Sequence, residues 1–235
     1  MKRNLSYLCS VKMRRGSILP LWGLLLMMLS ACTHDAYDVG DTDLSYLKAE
    51  MVMAHTSTSK SLVSAVTDEG ESLTFEKPYE CSWATTPDSI YRTLLYYNKV
   101  ESRVGVITAQ PVAVVRPIEL KEKEPLHTDP VTVQSVWTSP RGDYLNLGLI
   151  VKTGVEEGLD AKQVIGCVIR DPLESLEPDA SVPVTLYHHQ NEVPEYYSSR
   201  VYVSIPLDLF AGHPSLTLTI NTYSGLWVKT IQLPQ

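Results

Sequence analysis

The chain from residue 44 onward consists of short runs in which apolar and polar residues alternate, and this pattern predicts an all-β protein. The run Tyr144-Leu145-Asn146-Leu147-Gly148-Leu149 alternates strictly, which predicts a strand with one buried and one exposed face. Gly, Pro and Asp residues separate the runs, as turns require. No run has the 3.6-residue period of a long helix. The predicted strands cover residues 44–56, 61–67, 72–75, 90–97, 104–115, 131–138, 144–152, 162–170, 182–188, 200–205, 215–221 and 226–233.

Residues 117–130 divide these strands into two groups, because they form the one polar and proline-punctuated stretch in the middle of the chain. The five strands before this stretch predict a first domain over residues 44–120. The seven strands after it, with their turns, favour an immunoglobulin-like antiparallel β-sandwich over residues 126–235. The sequence therefore predicts two β domains that meet near residues 117–130.

The start of the chain has the features of a bacterial lipoprotein signal. A basic segment precedes the apolar run 18–29, which is shorter than the roughly 20 residues needed to span a membrane but suits a signal-peptide core. Leu29, Ser30 and Ala31 then lead to Cys32, which supplies a thiol for acylation. We predict a signal peptide at residues 1–31 and a lipid on Cys32. Translation starts at Met1 or at Met13, and Met13 gives a signal peptide of ordinary proportions.

Residues 32–43 carry four Asp residues and predict a short acidic tether between the lipid and the fold. The lipid on Cys32 makes a membrane the first predicted partner. The lipoprotein signal predicts a protein of the outer membrane that faces either the periplasm or the cell surface.

The charge of the mature chain argues against nucleic-acid binding. Without residues 1–31 the chain keeps 15 of its 20 Lys and Arg residues and all 27 Asp and Glu residues, a formal charge of −12. Proteins that bind nucleic acids neutralise phosphates with clustered basic residues, and no such cluster is present in the sequence.

Two cysteines, Cys81 and Cys167, remain after the signal peptide is removed and Cys32 is acylated. They allow one disulfide, but each lies among apolar neighbours in a different predicted domain. Two buried free thiols are therefore favoured.

The residues quoted above resemble the NigD-like lipoproteins over nearly the whole mature chain. The resemblance rests on the signal motif, on Val112-Ala113-Val114-Val115, and on Asp143-Tyr144-Leu145-Asn146-Leu147. It also rests on residues 186–191, 194–198 and 203–207. It implies a small OB-type barrel at residues 44–120, followed by the sandwich, on a lipid anchor. It implies no catalytic residues, because the family has no established biochemical activity.

His188 and His189, with Glu192 and Glu195 nearby, raise the hypothesis of a metal site. Consecutive residues of a strand point to opposite faces, so both imidazoles could bind one ion only if the backbone turned sharply. A polar loop that caps the sandwich is favoured, and no metal or cofactor is predicted.

Aromatic and polar residues gather around the same turn and form the predicted ligand-binding site. Tyrosine rings with nearby amides and carboxylates can hold a glycan, although tyrosines of a sandwich also serve in the core. The candidate residues are Tyr187, His188, Asn191, Glu195, Tyr196 and Tyr197.

In the first domain, the hydroxyl-rich segment 55–61 with Trp83, Tyr96 and Tyr97 could bind an oligosaccharide, as loops of OB barrels do. A polar hairpin loop explains the same serines, and Trp83 is expected in the core or at its rim.

No catalytic constellation is present in the sequence: it contains no Gly-x-Ser-x-Gly elbow, and Glu192 and Glu195 lie too close together to flank a glycosidic bond. The prediction is a non-enzymatic accessory protein that binds or contacts a partner in the envelope. The alternatives are a structural or immunity-type protein that contacts another protein and, third, a glycan-binding or glycan-processing protein.

Overall fold

The computed structural model of the protein describes residues 47–120 and 125–234. These residues form fourteen β-strands and two short 3₁₀ turns, within one compact unit that begins at residue 46. Among them, no helix is long and apolar enough to cross a membrane. The predicted signal peptide, Cys32 and the acidic tether lie outside the described residues.

The first five strands form a closed barrel. β1 pairs with β2 and also with β4, so the strand order β1-β2-β3-β5-β4 closes on itself. β3 and β5 are parallel, and the other neighbours are antiparallel. This is the arrangement of an OB-type barrel, as the resemblance implies. The strands are β1 (Leu47–Thr56), β2 (Leu62–Thr67), β3 (Ser72–Tyr79), β4 (Ile90–Val100) and β5 (Arg103–Pro111).

The remaining strands form the predicted β-sandwich. One sheet has the order β14-β13-β11-β10-β7 and the other has the order β6-β12-β9-β8. Three neighbouring pairs, β7–β10, β11–β13 and β6–β12, are parallel, so the sheets are mixed where the sequence predicts antiparallel ones. The strands are β6 (Ala113–Val114), β7 (Ile118–Glu119), β8 (Thr132–Thr138), β9 (Tyr144–Thr153), β10 (Val164–Ile169), β11 (Val182–His189), β12 (Tyr197–Pro206), β13 (Ser215–Thr222) and β14 (Gly225–Gln232).

Residues 113–119, assigned from the sequence to the first domain, pair with the sandwich. β6 pairs with β12, and β7 pairs with β10. The pairing of β7 with β10 continues to Leu120, whose amide donates a hydrogen bond to the carbonyl oxygen of Ile169 at 3.0 Å. Each strand has two residues, too few to show an alternation that assigns it to a sheet.

The barrel packs against the outer face of the sheet that contains β9. Leu145, Leu147 and Leu149 point into the sandwich core and are fully buried. Asn146, on the opposite face, is also fully buried, so the prediction of one exposed face is wrong for this part of β9. The reason is that the barrel covers the second face there.

A hydrogen-bonded network centred on Arg92 of β4 joins barrel and sandwich. The guanidinium forms a two-pronged ion pair with Asp68, in which Nη2 donates to Oδ2 at 2.7 Å. It also donates to Asn146 Oδ1 at 3.1 Å and to Ser204 Oγ at 3.2 Å. Its carbon Cζ lies 4.3 Å from the ring centre of Tyr144, a cation–π contact. The side chain of Arg92 is fully buried, and every one of these partners helps to compensate its lost hydration.

The two cysteines are free thiols, as predicted, and Cys167 is buried while Cys81 is partly buried. Burial in the sandwich core raises the pKa of the Cys167 thiol to about 12.

Candidate functional site

Three loops meet at the end of the sandwich that is far from Arg92; we call them the distal loops, residues 154–163, 190–196 and 223–224. β9 begins at Tyr144, beside the barrel, and has ten residues. At roughly 3.3 Å per residue, its other end at Thr153 lies about 30 Å away. Thr153 pairs with Tyr197, the residue that follows the middle loop.

The loop at 190–196 is fixed by a tight turn. The amide of Val193 donates to the carbonyl oxygen of Gln190 at 3.1 Å, while Asn191 and Glu192 have φ angles of 50° and 61°. Two consecutive positive φ angles are typical of a type I′ turn. The Gln190 side chain donates to the carbonyl oxygens of Lys152 at 3.0 Å and of Val193 at 2.8 Å, which ties the loop to β9.

Tyr196 is held against the loop that follows β9. A Cβ built on Gly154 would lie 2.8 Å from the Tyr196 ring and 2.9 Å from the carbonyl oxygen of Pro194, so the ring uses the space that glycine leaves. The Tyr196 hydroxyl donates to Glu156 Oε2 at 3.3 Å. The side chain is nevertheless 67% exposed, so a ring of defined position faces solvent.

Tyr197 and Tyr223 add two exposed rings, at 53% and 51% exposure. Burial raises the pKa of Tyr223, and so do the nearby carboxylates of Glu195 and Asp129. Three exposed tyrosines thus share the distal end with acidic side chains.

Of the six residues predicted for the ligand site, the structure places Asn191, Glu195, Tyr196 and Tyr197 at this exposed end. His188 is 1% exposed, because its ring Nδ1 bonds the carbonyl oxygen of Asp129 at 2.9 Å and its Nε2 lies 3.4 Å from Gln163 Oε1. It thus holds the segment before β8 onto β11.

The side chains of Asn191 and Tyr187 make contacts with other parts of the fold. The Asn191 amide donates to the carbonyl oxygen of Lys162 at 2.9 Å and joins two distal loops. Tyr187 lies within β11, and its ring packs edge to face against the ring of His127, with ring centres 5.8 Å apart.

The histidine pair is divided between two environments. His189 stacks on His127, with ring centres 3.8 Å apart, while His188 turns inward. Among the residues that the structure describes, no group of three His, Cys, Asp or Glu side chains is placed to hold a metal ion.

The candidates in the barrel are mostly structural. Trp83 packs on the barrel core, edge to face with Tyr91 at 5.6 Å, and its indole donates to the carbonyl oxygen of Ala109 at 3.3 Å. Tyr97 is fully buried. The serines of the β1–β2 loop bond to each other, with Ser57 Oγ and Ser59 Oγ 2.8 Å apart. A polar loop accounts for them.

Sequence reasoning missed a cleft between the barrel and the outer face of the β9 sheet, with a volume of about 430 Å³; we call it the junction cleft. Six of its lining residues are the aromatics Tyr96, Trp137 and Tyr202 and the carboxylates Glu50, Asp68 and Glu69. They come from five distant stretches of sequence that only the tertiary fold brings together. Tyr96 alone was a candidate, and nothing local in the sequence points to the others.

An OB-type barrel followed by a β-sandwich defines a class of two-part all-β proteins. The sequence matches the family model of the NigD-like C-terminal beta sandwich domain over residues 114–233, which begin within β6 and end just after β14. The chain belongs to the NigD-like family. No curated protein matches the sequence.

Solved structures with the same fold come from species of Bacteroides and Parabacteroides. A NigD-like immunity protein from Bacteroides caccae is 26% identical, with a TM-score of 0.59, and the match covers 78% of this chain and 91% of that one. A protein from Parabacteroides distasonis that is provisionally described as toxin-related is 15% identical, with a TM-score of 0.56 and coverage of 79% and 92%. One from Bacteroides fragilis, provisionally described as a lipoprotein, is 11% identical, with a TM-score of 0.55 and coverage of 80% and 98%. The last two likenesses show the fold alone.

Proposed function

We propose that this protein is an outer-membrane lipoprotein, anchored through Cys32, that acts by binding another protein with its distal loops and catalyses no reaction. The observation that carries the proposal is the set of exposed tyrosines at the distal end, above all Tyr196, whose ring is 67% exposed yet fixed by Gly154 and Glu156. Tyrosine is enriched at protein interfaces because it offers a large contact area at a low cost in conformational entropy.

Charge favours a basic partner surface. Four carboxylates lie on the distal loops beside the tyrosines, and the ion pair of Asp160 with Lys162 on the same loops is largely exposed to solvent. The four are Glu156, Glu157, Glu192 and Glu195. Acidic side chains on the distal loops speed the approach of a partner with a basic surface and disfavour acidic partners.

Two further observations support a protein partner over a glycan. The similar protein from Bacteroides caccae is called an immunity protein, a name that implies contact with another protein. The distal tyrosines are also more than half exposed, whereas glycans and other small ligands are held in concave sites that bury most of the ligand.

The lipoprotein signal at residues 18–32 supports a lipid anchor on Cys32. Each methylene of an acyl chain that enters the bilayer contributes about 0.8 kcal/mol, so the several chains of a bacterial lipoprotein hold it firmly. Mass spectrometry of the mature N-terminus should find an acylated Cys32, and a Cys32→Ala chain should leave the membrane fraction. A Cys32→Ala chain that still fractionates with membranes contradicts the anchor.

Binding is tested with residues 33–235, which contain the whole compact unit, on immobilised envelope proteins and on a glycan array. We expect saturable binding to one protein species, weakened at least tenfold by Tyr196→Ala. The matched control is Ile107→Ala, which removes a side chain that is 42% exposed on the barrel. Saturable glycan binding that Tyr196→Ala abolishes would favour the glycan-binding alternative, and turnover of any substrate would contradict the non-enzymatic role.

A second pair of variants separates the position of the ring from its presence. Gly154→Ala should weaken binding while Tyr196 is retained, because the new Cβ lies 2.8 Å from the ring and displaces it. Gly105→Ala is its control, since nothing lies within 4 Å of the added Cβ. Equal affinities for these two variants would show that a fixed Tyr196 ring is not needed.

A further inference from the structure

We infer that the junction cleft is a second binding site and that it takes an arginine or lysine side chain from an extended segment of a partner protein. This surface is separate from the distal loops. The inference therefore stands whether or not the distal loops bind.

The shape of the cleft suits a ligand. Its volume of about 430 Å³ falls in the range of roughly 300–1,000 Å³ that is typical of small-ligand sites, which often lie between domains. Met51 and Leu94 line it and belong, with Val112, to an apolar cluster against which Tyr96 and Tyr202 pack. Gly148 lets the lining residues Ser135 and Tyr202 pack closely over β9, since a Cβ there would lie 2.5 Å from Ser135 Oγ and 3.4 Å from the Tyr202 ring.

The charges of the cleft select a cation. Glu50, Asp68 and Glu69 line it, and none of the described lining residues is Lys or Arg. Arg141 lies at its edge beside Gly70, and its Nε is 3.9 Å from Asp143 Oδ2. Asp68 is already neutralised by Arg92. Glu50 accepts a hydrogen bond from the Tyr97 hydroxyl at 2.8 Å and has Lys48 at 3.9 Å, an exposed pair that contributes little. Glu69 is exposed and forms no ion pair among the described residues, so it is the carboxylate that a ligand can use.

The aromatic rings select the same ligand. A cation over the face of a tryptophan or tyrosine is stabilised by about 0.5–1 kcal/mol at exposed sites and more when it is desolvated. Trp137 is 36% exposed at the rim, and Tyr96 and Tyr202 are partly buried. The molecule already contains one such arrangement at the edge of the cleft, where Arg92 lies between the Tyr144 ring and the Asp68 carboxylate. A partner's arginine can be held in the same way between an aromatic ring and Glu69.

The probe is a pair of heptapeptide libraries with a fixed central arginine or its neutral isostere citrulline, added to residues 33–235. The readout is the ¹⁵N-indole signal of Trp137, assigned with Trp137→Phe. We expect the arginine library to shift this signal and the citrulline library to shift it at least fivefold less. The signals of Trp83 and Trp227, which do not line the cleft, should stay unchanged.

Variants then identify the groups that bind. Glu69→Gln should weaken binding of the arginine peptides at least fivefold, while Glu76→Gln, the same change at an exposed position of β3 that does not line the cleft, should not alter it. Glu69 is exposed, so its variant should fold, and a melting curve checks this. An equal shift by both libraries, no shift by either, or a shift by oligosaccharides alone would overturn the proposal. These outcomes leave the distal loops untouched, so a failure here is distinct from a failure of Tyr196→Ala to weaken partner binding.

Discussion

Arg92 and Asn146 are 54 residues apart in the sequence, yet Nη2 of Arg92 donates a hydrogen bond to Oδ1 of Asn146 at 3.1 Å. Ser204 Oγ donates to the same oxygen at 2.7 Å. Three strands, β4 of the barrel and β9 and β12 of the sandwich, therefore meet at one amide oxygen. Through this contact the barrel and the sandwich form a single packed unit, not two separate domains joined only by a linker.

Arg92→Met should destabilise the protein by about 3 kcal/mol or more, because it leaves Asp68 without its partner at a site where that side chain is only 12% exposed. Chemical denaturation measures the effect. Arg103→Met is the control, since Arg103 is exposed on the barrel and its loss should change stability by less than about 0.5 kcal/mol. Adding Asp68→Leu to Arg92→Met should restore part of the loss. Equal stabilities of the Arg92 and Arg103 variants would show that the network contributes nothing.

The fragment 112–235 should be more stable than the fragment 126–235. The longer fragment keeps β6 and β7, which pair with β12 and β10, and it keeps Val115, which packs against the sandwich core. Each kcal/mol that these contacts contribute raises the melting temperature of a domain of this size by about 4 °C. Thermal unfolding of the two fragments decides this. If both melt at the same temperature, residues 112–125 are dispensable for the sandwich, and the boundary predicted from the sequence stands.

Local signals in the sequence predict the strands, whereas long-range contacts decide how they pair and what they cover. Alternation and turn residues locate β8 to β14 to within a few residues, because the period of a strand is a local property. The parallel pairing of β11 with β13 skips β12 and leaves no local trace. Asn146 looks exposed in the sequence because its covering partner, Arg92, is supplied by the other domain. The candidate site shows the same division, since the turn at 190–193 is locally encoded but the inward turn of His188 toward Asp129 is not.

His188→Leu should cost about 1–3 kcal/mol, since it removes a buried ring that bonds the Asp129 carbonyl and leaves that oxygen unsatisfied. His189→Leu should reduce the free energy of unfolding by less, because His189 is partly exposed and its ring stacks on that of His127. Unfolding in urea compares the two. The reverse order of stabilities would place the structural role on His189.

The stability of the protein should fall as pH rises above 10, in part because of Tyr97. Burial and the hydrogen bond to Glu50 raise the pKa of Tyr97 above its usual value of 10. Below pH 10 the tyrosine is protonated in the folded and unfolded chains alike, so it adds no pH dependence there. Above pH 10 the unfolded chain loses the proton first, which favours unfolding. The stability advantage of the wild type over Tyr97→Phe should therefore shrink between pH 9.5 and about pH 11.5. A constant difference over this range contradicts the raised pKa.

The central claim, that a lipid-anchored protein meets a protein partner at its distal loops, is tested most directly in living cells. A photo-crosslinking amino acid is placed at position 196 of the full chain, with position 107 on the barrel as the control and Cys32→Ala as the unanchored form. We predict one discrete protein adduct from position 196, none from position 107, and loss of the adduct when Cys32 is replaced. An adduct of equal yield from both positions, or no protein adduct from position 196 in the anchored chain, would contradict the account.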